Sequence, residues 1–312
     1  MKPGLKILEH TPEDMTVTVE AGMTLAALQT ELARHRQWLP LDPPHADRLT
    51  IGELINTNAS GPRRFGYGTI RDYLIGIKVA LADGTIIRSG GKVVKNVAGY
   101  DLLKLFVGAQ GSLGVVLETT FKLRPLPEAE KFIQARCESL EQADKLIEAV
   151  IKSEITPVVM DFSNVECGVR SAESGGTGSK ANTFSLVLGF AGTREEVEWQ
   201  LERARELGFN EPASLDYETA FWSDAADGNA KGKKLEPPHV GSYEIGKLSV
   251  LPSRMVEAIR GLNGALFLAR AGNGIIYHRG PAMPRKVELP LELMRRVKAA
   301  YDPNHILPDL LL

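Results

Sequence analysis

The stretch of this chain best suited to holding a ligand carries little side-chain chemistry. Residues 95–116, KNVAGYDLLKLFVGAQGSLGVV, scatter glycines among small and apolar residues, with Lys95, Asn96, Tyr100, Asp101 and Lys104 as the principal polar groups. Glycine admits φ > 0 in tight turns, and it also lets main chain approach another molecule closely enough for backbone N–H groups to hold it. A second small-residue stretch, TIGELINTNASGPRRFGYGTIRD, begins at Thr50. Spacing excludes the common nucleotide loops. GAQGSLG reads G-x-x-G-x-x-G and precedes a strand, where a Rossmann turn needs G-x-G-x-x-G before a helix. GGTGSK and GNAKGKK lack the G-K-[ST] ending of a phosphate loop and read as surface loops. There is no G-x-S-x-G elbow and no compact Ser/His/Asp set. The six histidines are scattered without ligand spacing, so no metal is expected.

The elements around these stretches follow from periodicity and capping. MTVTVEAG alternates as a strand, and TLAALQTELARHRQ places Leu25, Leu28 and Leu32 on one helical face with Thr24 as N-cap. Thr50 and Glu53 have capping-box spacing at the start of a short helix that runs out into NTNASG. LIGIKVALADGTIIRSG reads as a hairpin turning at Asp83-Gly84. DLLKLFVG reads as a two-turn helix with Asp101 as N-cap and Gly108 just past its end, followed by the strand GVVLETTFKLRPLP. From Glu130 the order strand EKFIQARC, helix SLEQADKLIEAVIKS, strand ITPVVMDFS, strand TFSLVLGFAG, helix TREEVEWQLERARELG predicts a ferredoxin-like βαββα run with a strand after it. Ser139/Gln142 and Thr193/Glu196 supply the capping boxes, and the ESGGTGSKAN loop between the inner strands reads as mobile. A looser echo follows in YEIGKLSVLP, SRMVEAIRGL, ALFLARAGNGIIYHRG and the helix LELMRRVKAAY, which predicts one large sheet with helices on one face.

Composition sets outer limits. The 312 residues, 43% hydrophobic and 24% charged with a net charge of -2, describe a globular chain of two domains without a basic field for nucleic acid. Cys137 and Cys167 are expected to be reduced thiols in a cytoplasmic setting, and any membrane contact is expected to be peripheral, since no apolar run reaches spanning length.

WLPLDPPH, NASGPRRFGYGTIRD and VVKNVAGYDLLKLFVGAQGSLGV together resemble the FAD-binding domain of the vanillyl-alcohol-oxidase (PCMH) type, found in D-lactate dehydrogenases and bacterial glycolate oxidases, and most resemble glycolate oxidase E subunits. The tail YDPNHILPDL is similar to the D-P-x-G-I-x-N-P-G ending of that family. The resemblance implies an α+β chain: residues 1–127 as the C-terminal part of a PCMH-type FAD-binding domain, without its usual first glycine-rich subdomain, and residues 128–312 as a ferredoxin-like cap or substrate domain whose tail returns toward the flavin. It implies FAD held by Gly52, Thr57, Asn58, Ala59, Ser60 and Gly61 from one side and Gly111, Ser112, Gly114 and Val116 from the other, with Tyr100-Asp101 fixing the helix behind them. Small side chains there suit a pyrophosphate cradled by N–H groups. The family's T-I-G-G becomes Thr50-Ile51-Gly52-Glu53, whose carboxylate must turn away as the helix cap. A helix C-cap followed by a turn into the next strand is the competing explanation of GAQGSLG.

Removing hydride from a 2-hydroxy acid needs a base near the hydroxyl and a cation for the carboxylate. AGNGIIYHRG echoes the family's histidine motif weakly through Asn273 and His278, with Arg270 and Arg279 alongside; a Gly272-Asn273-Gly274 turn explains the same letters. Lys92, Lys95, Arg63 and Arg64 read either as solvated loop charges or as flavin partners. Three functions stay open: an FAD-binding subunit of a glycolate oxidase complex beside a paralogous flavin-containing catalytic subunit and an iron–sulfur subunit; a flavin-free structural subunit of that complex; and a stand-alone FAD-dependent 2-hydroxy-acid dehydrogenase.

Overall fold

A computed structural model describes residues 6–91, 101–165, 184–223, 245–280 and 290–309. Lys92, Lys95, Tyr100, Cys167 and the ESGGTGSKAN and GNAKGKK loops, all singled out above, lie outside the described residues. The chain divides into two compact units, Met1–Leu126 with Lys286–Leu312, and Pro127–Arg285.

The first unit is built on an antiparallel five-stranded sheet. Its strands are β1 (Ile7–Thr11), β2 (Thr16–Glu20), β4 (Leu74–Ala80), β5 (Ile86–Gly90) and β6 (Val115–Lys122), in the order β1-β2-β6-β4-β5. β3 (Gln37–Trp38) and β7 (Arg124–Pro125) form a separate short ladder. Val17, Val19, Val79 and Phe121 of the large sheet are buried with Leu25, Leu28 and Leu32 of helix α1 (Leu25–Ala33) and Ile51, Leu54 and Ile55 of helix α2 (Ile51–Thr57). Both helices start as the sequence predicts. The Ala27 N–H donates to Thr24 Oγ1 at 3.3 Å, and at α2 Glu53 N–H donates to Thr50 Oγ1 (3.2 Å) while Thr50 N–H donates to Glu53 Oε2 (2.8 Å). Thr50→Ala is expected to lower stability by about 1 kcal/mol, read as a lower urea midpoint with unchanged slope.

Two one-turn helices, α3 (Arg64–Tyr67) and α4 (Ile70–Tyr73), lead into β4. The β4–β5 hairpin turns at Asp83-Gly84 as expected, with Asp83 Oδ1 accepting from Thr85 N–H at 2.8 Å. The predicted two-turn DLLKLFVG helix is a single turn, α5 (Leu103–Phe106), whose N-cap is Leu102 rather than Asp101 and has no side-chain bond. Burial of Leu103 and Phe106, not an Asp cap, holds that turn. Asp101 is exposed and engages it through its backbone carbonyl, which accepts from Lys104 N–H.

The second unit opens with β8 (Ala129–Cys137), α6 (Leu140–Lys152), β9 (Val159–Ser163), β10 (Phe184–Gly192), α7 (Arg194–Glu206) and β11 (Glu211–Pro212). Strand order β11-β8-β10-β9, all antiparallel, is the ferredoxin-like arrangement expected from the element order. Thr193 and Glu196 form the predicted box at α7. At α6 the reciprocal bond is displaced by one residue: Ser139 Oγ caps Gln142 N–H, but Gln142 Oε1 accepts from Glu138 N–H. After helix α8 (Asp216–Ser223), the unit β12 (Ile245–Ser249), α9 (Met255–Arg260), β13 (Phe267–Arg270) and β14 (Ile275–Arg279) repeats the first strand–helix–strand–strand pattern. Its third strand again lies between its first and second, and β13 pairs antiparallel with β9, so both copies share one seven-stranded sheet.

The sequence grouped the last helix, α10 (Leu291–Tyr301), with this echo; it packs instead in the first unit. Tyr301 stands edge-on to Phe106 with ring centroids 6.0 Å apart, and Val297 packs against the first core. Among the described residues, no helix is long and apolar enough to cross a membrane.

Candidate functional site

The two small-residue stretches meet at the C-terminal end of α2. Its last carbonyls accept from the second stretch: Gly108 N–H donates to Ile55 O (2.8 Å) and Gln110 N–H to Asn56 O (2.9 Å). Asn58 ends the helix in the left-handed conformation, φ 49° and ψ 40°, a position that asparagine tolerates better than branched residues. The N–H groups of Ala59, Ser60, Gly61, Gly111 and Leu113 donate to no acceptor among the described residues. Asn58 Oδ1 is likewise buried and unpartnered. Ser60, Gly61 and Leu113 are buried residues, and buried backbone donors are almost always paired. Open donors on two facing loops of small residues therefore make a cradle suited to an anionic group.

The candidate glycines do different things. At Gly111, φ is +75°, and an added Cβ would meet nothing described nearer than Asn56 Nδ2 at 3.9 Å and Pro308 Cγ at 4.0 Å, so this position is open. Gly52 packs on β2: its N–H donates to Ala21 O (2.8 Å), and a Cβ would sit 3.3 Å from Ala21 Cβ. Gly61 passes the backbone of Asp42, and Gly114 lies against Val79 and Ala80 of β4. Thr57 Oγ1 donates back to Glu53 O, and Ser112 Oγ to Ala109 O, so neither hydroxyl needs an outside partner. Val116 is buried in the core. Glu53 is engaged as the helix cap. Ile51 N–H donates to Met23 O, so the N-terminus of α2 is closed by protein groups.

Flanking charges are anchored rather than free. Arg63 Nη1 donates to Asp42 Oδ2 at 3.0 Å and its guanidinium lies 5.8 Å over Trp38; Arg64 Nη1 donates to Ser60 Oγ at 3.1 Å. From the far side Lys298 of α10, buried, donates from Nζ to Ser112 O (3.0 Å), Asp302 Oδ2 (2.5 Å), Leu307 O (3.2 Å) and Pro308 O (3.0 Å). Burial alone would raise the Asp302 carboxyl, but Lys298 and the N–H groups of Ile306 and Leu307 hold it at about 2. Sequence reading missed this pair; the i, i+4 spacing of Lys298 and Asp302 was its one local signal.

In the second unit the weak catalytic candidates separate. Strand register puts Arg270 opposite Ile275, and His278 opposite Phe267, so the two side chains lie on opposite faces of the sheet. The turn between their strands is the Gly272-Asn273-Gly274 turn, with Gly274 left-handed. Arg270 is buried and ion-paired with both Asp161 and Glu218; Tyr217 OH donates to Asp161 Oδ2 at 2.9 Å. Burial pushes the Asp161 carboxyl up to about 7; Glu218 adds to this and Arg270 opposes it. His278 is buried with its pKa lowered by desolvation, and its Nε2 is unpartnered beside Gly246. A cleft of about 370 Å³ opens on the Arg270 face, lined by Gln134, Ser163, Ser185 and Tyr217 among others.

Residues 3–90 match the family described as FAD binding domain. Over its whole length the fold resembles a solved alkyldihydroxyacetonephosphate synthase, with a TM-score of 0.67 at 14% identity, covering 98% of this chain and 67% of that one. The chain resembles glycolate oxidase subunits. It is 30% identical over 233 residues to glycolate oxidase subunit GlcE of Escherichia coli (strain K12), across 73% of this chain and 64% of that protein. It is 41% identical over 157 residues to glycolate oxidase subunit GlcD of Bacillus subtilis (strain 168), across 50% of this chain and 33% of that protein. The chain thus spans between about a third and two thirds of the length of these relatives.

Proposed function

We propose that this chain is an FAD-carrying subunit of a 2-hydroxy-acid-oxidising complex of the glycolate oxidase type. The observation that carries this reading is the cradle: two loops joined through Ile55 O and Asn56 O, with open N–H donors on both and an open Gly111 between them. The 73% of the chain aligned with the GlcE subunit supports the same reading. In it, Ala59, Ser60, Gly61, Gly111 and Leu113 offer N–H groups to the pyrophosphate, while Gly52, Gly114 and Val116 set the backbone that presents them. Bound FAD would supply the two-electron acceptor for oxidation of glycolate to glyoxylate. The base that takes the hydroxyl proton is assigned to a paralogous catalytic subunit, because Arg270 is committed to two carboxylates and His278 is buried on the other face. Electrons would then pass to an iron–sulfur partner.

The purified full chain should bind FAD when titrated by flavin fluorescence and should show no glycolate-dependent dye reduction alone. Gly111→Glu should abolish FAD binding, because it sets a carboxylate in the open space between the loops where an anion is to sit. A wild-type chain that stays colourless at saturating FAD and still joins the complex would establish the flavin-free structural role instead. Tight FAD binding by Gly111→Glu would refute the placement of the site.

A further inference from the structure

We propose that Lys298 is a positioning residue for the anion-holding loop, acting through the Ser112–Leu113 peptide; this rests on the FAD reading above. The Lys298 ammonium is buried and donates to Ser112 O at 3.0 Å. No peptide among the described residues is cis, so the N–H of the same peptide unit, that of Leu113, points away from Lys298. That N–H is one of the open donors of the cradle. A cation on the carbonyl end of a peptide polarises its N–H end, and in a site of low dielectric this strengthens the donor. Lys298 therefore fixes which way the peptide faces and makes Leu113 N–H a better ligand for the pyrophosphate of a dinucleotide.

The rest of the lysine's contacts are to the C-terminal segment. Three ammonium protons are shared among four oxygens, those of Ser112, Asp302, Leu307 and Pro308. Asp302 in turn accepts from Ile306 N–H (2.8 Å) and Leu307 N–H (2.9 Å), and Pro308 Cγ borders the space beside Gly111. Asp302 thus anchors the tail without touching the loop, whereas Lys298 touches both. Single changes at the two positions separate an effect on the loop from loss of the tail.

The test uses the full chain, with FAD affinity from fluorescence titration and melting temperature measured on the same samples. Lys298→Met should weaken FAD binding by about tenfold, and Asp302→Asn, which loosens the tail but leaves the Lys298–Ser112 bond, should bind within about twofold of wild type. In wild type, FAD should slow hydrogen exchange at the Leu113 amide, a measurement that stands if Lys298→Met does not fold. Equal affinity of Lys298→Met and wild type, equal losses in both variants, or unchanged Leu113 exchange on FAD binding would each overturn the role of Lys298. A wild-type chain that binds no FAD would overturn the flavin reading as well.

Discussion

Gly61→Ala is expected to destabilise the first unit by about 3 kcal/mol or more, with a matching fall in melting temperature. A methyl at this position would stand 1.9 Å from the Asp42 carbonyl oxygen, 2.6 Å from its carbonyl carbon and 2.5 Å from its Oδ1. The first two are backbone atoms, so no rotamer change relieves the overlap; one of the two loops must move. Movement at Asp42 also disturbs its bonds to Arg63, at 3.2 Å from the backbone N–H and 3.0 Å from Nη1. Gly114 belongs to the same class, since its Cβ would lie 2.5 Å from Val79 Cγ1 and 3.0 Å from Ala80 O. Gly111→Ala provides the contrast: it meets strain from φ +75° but no overlap, so its cost should be about 1 to 2 kcal/mol. Urea denaturation of the Gly61 and Gly111 variants checks the order, and a Gly61→Ala protein as stable as Gly111→Ala would show that the loops are not so closely packed.

These differences mark what the sequence could and could not reveal. The caps at Thr24, Thr50 and Thr193, the Asp83-Gly84 turn and the ferredoxin-like order were legible because each depends on residues a few positions apart. Asp101 followed the same logic and misled, because α5 is held by the burial of Leu103 and Phe106. The two small-residue stretches could be found as candidates from composition. Which of their glycines face open space could not, since the contacts at Gly61 and Gly114 come from Asp42 and β4, distant in sequence. The amphipathic pattern of α10 shows that it packs on something but does not name the partner, which is the core of the first unit. The Arg270 cluster was hidden for the same reason: strand register brings Asp161 of β9 to Arg270 of β13, and the packing of α8 adds Glu218.

That cluster governs the second large effect, since Arg270→Met should destabilise the second unit by about 3 to 5 kcal/mol. Arg270 and Asp161 are 2% and 1% exposed, so neither charge can be taken up by water when its partner is removed. Burial opposes the Arg270 charge, and the Asp161 and Glu218 carboxylates more than offset it, so the guanidinium stays protonated. Two carboxylates against one cation leave an excess negative charge in a buried place, and the Asp161 carboxyl, at about 7, is where a proton is taken up. A folded-state pKa raised above the unfolded value of about 3.9 means that the native state binds this proton more tightly. The stabilising contribution is therefore full below about pH 4 and is lost as pH rises toward 7. Asp161→Asn removes the titrating group, so its stability relative to wild type should improve from about pH 4 to about pH 7 and level off above, as read by chemical denaturation. In Arg270→Met the Asp161 charge loses its counterion while Glu218 remains beside it, which should extend the decline to higher pH. A parallel pH dependence of wild type and Asp161→Asn would show that Asp161 does not carry the proton and that the excess charge of the cluster is met elsewhere.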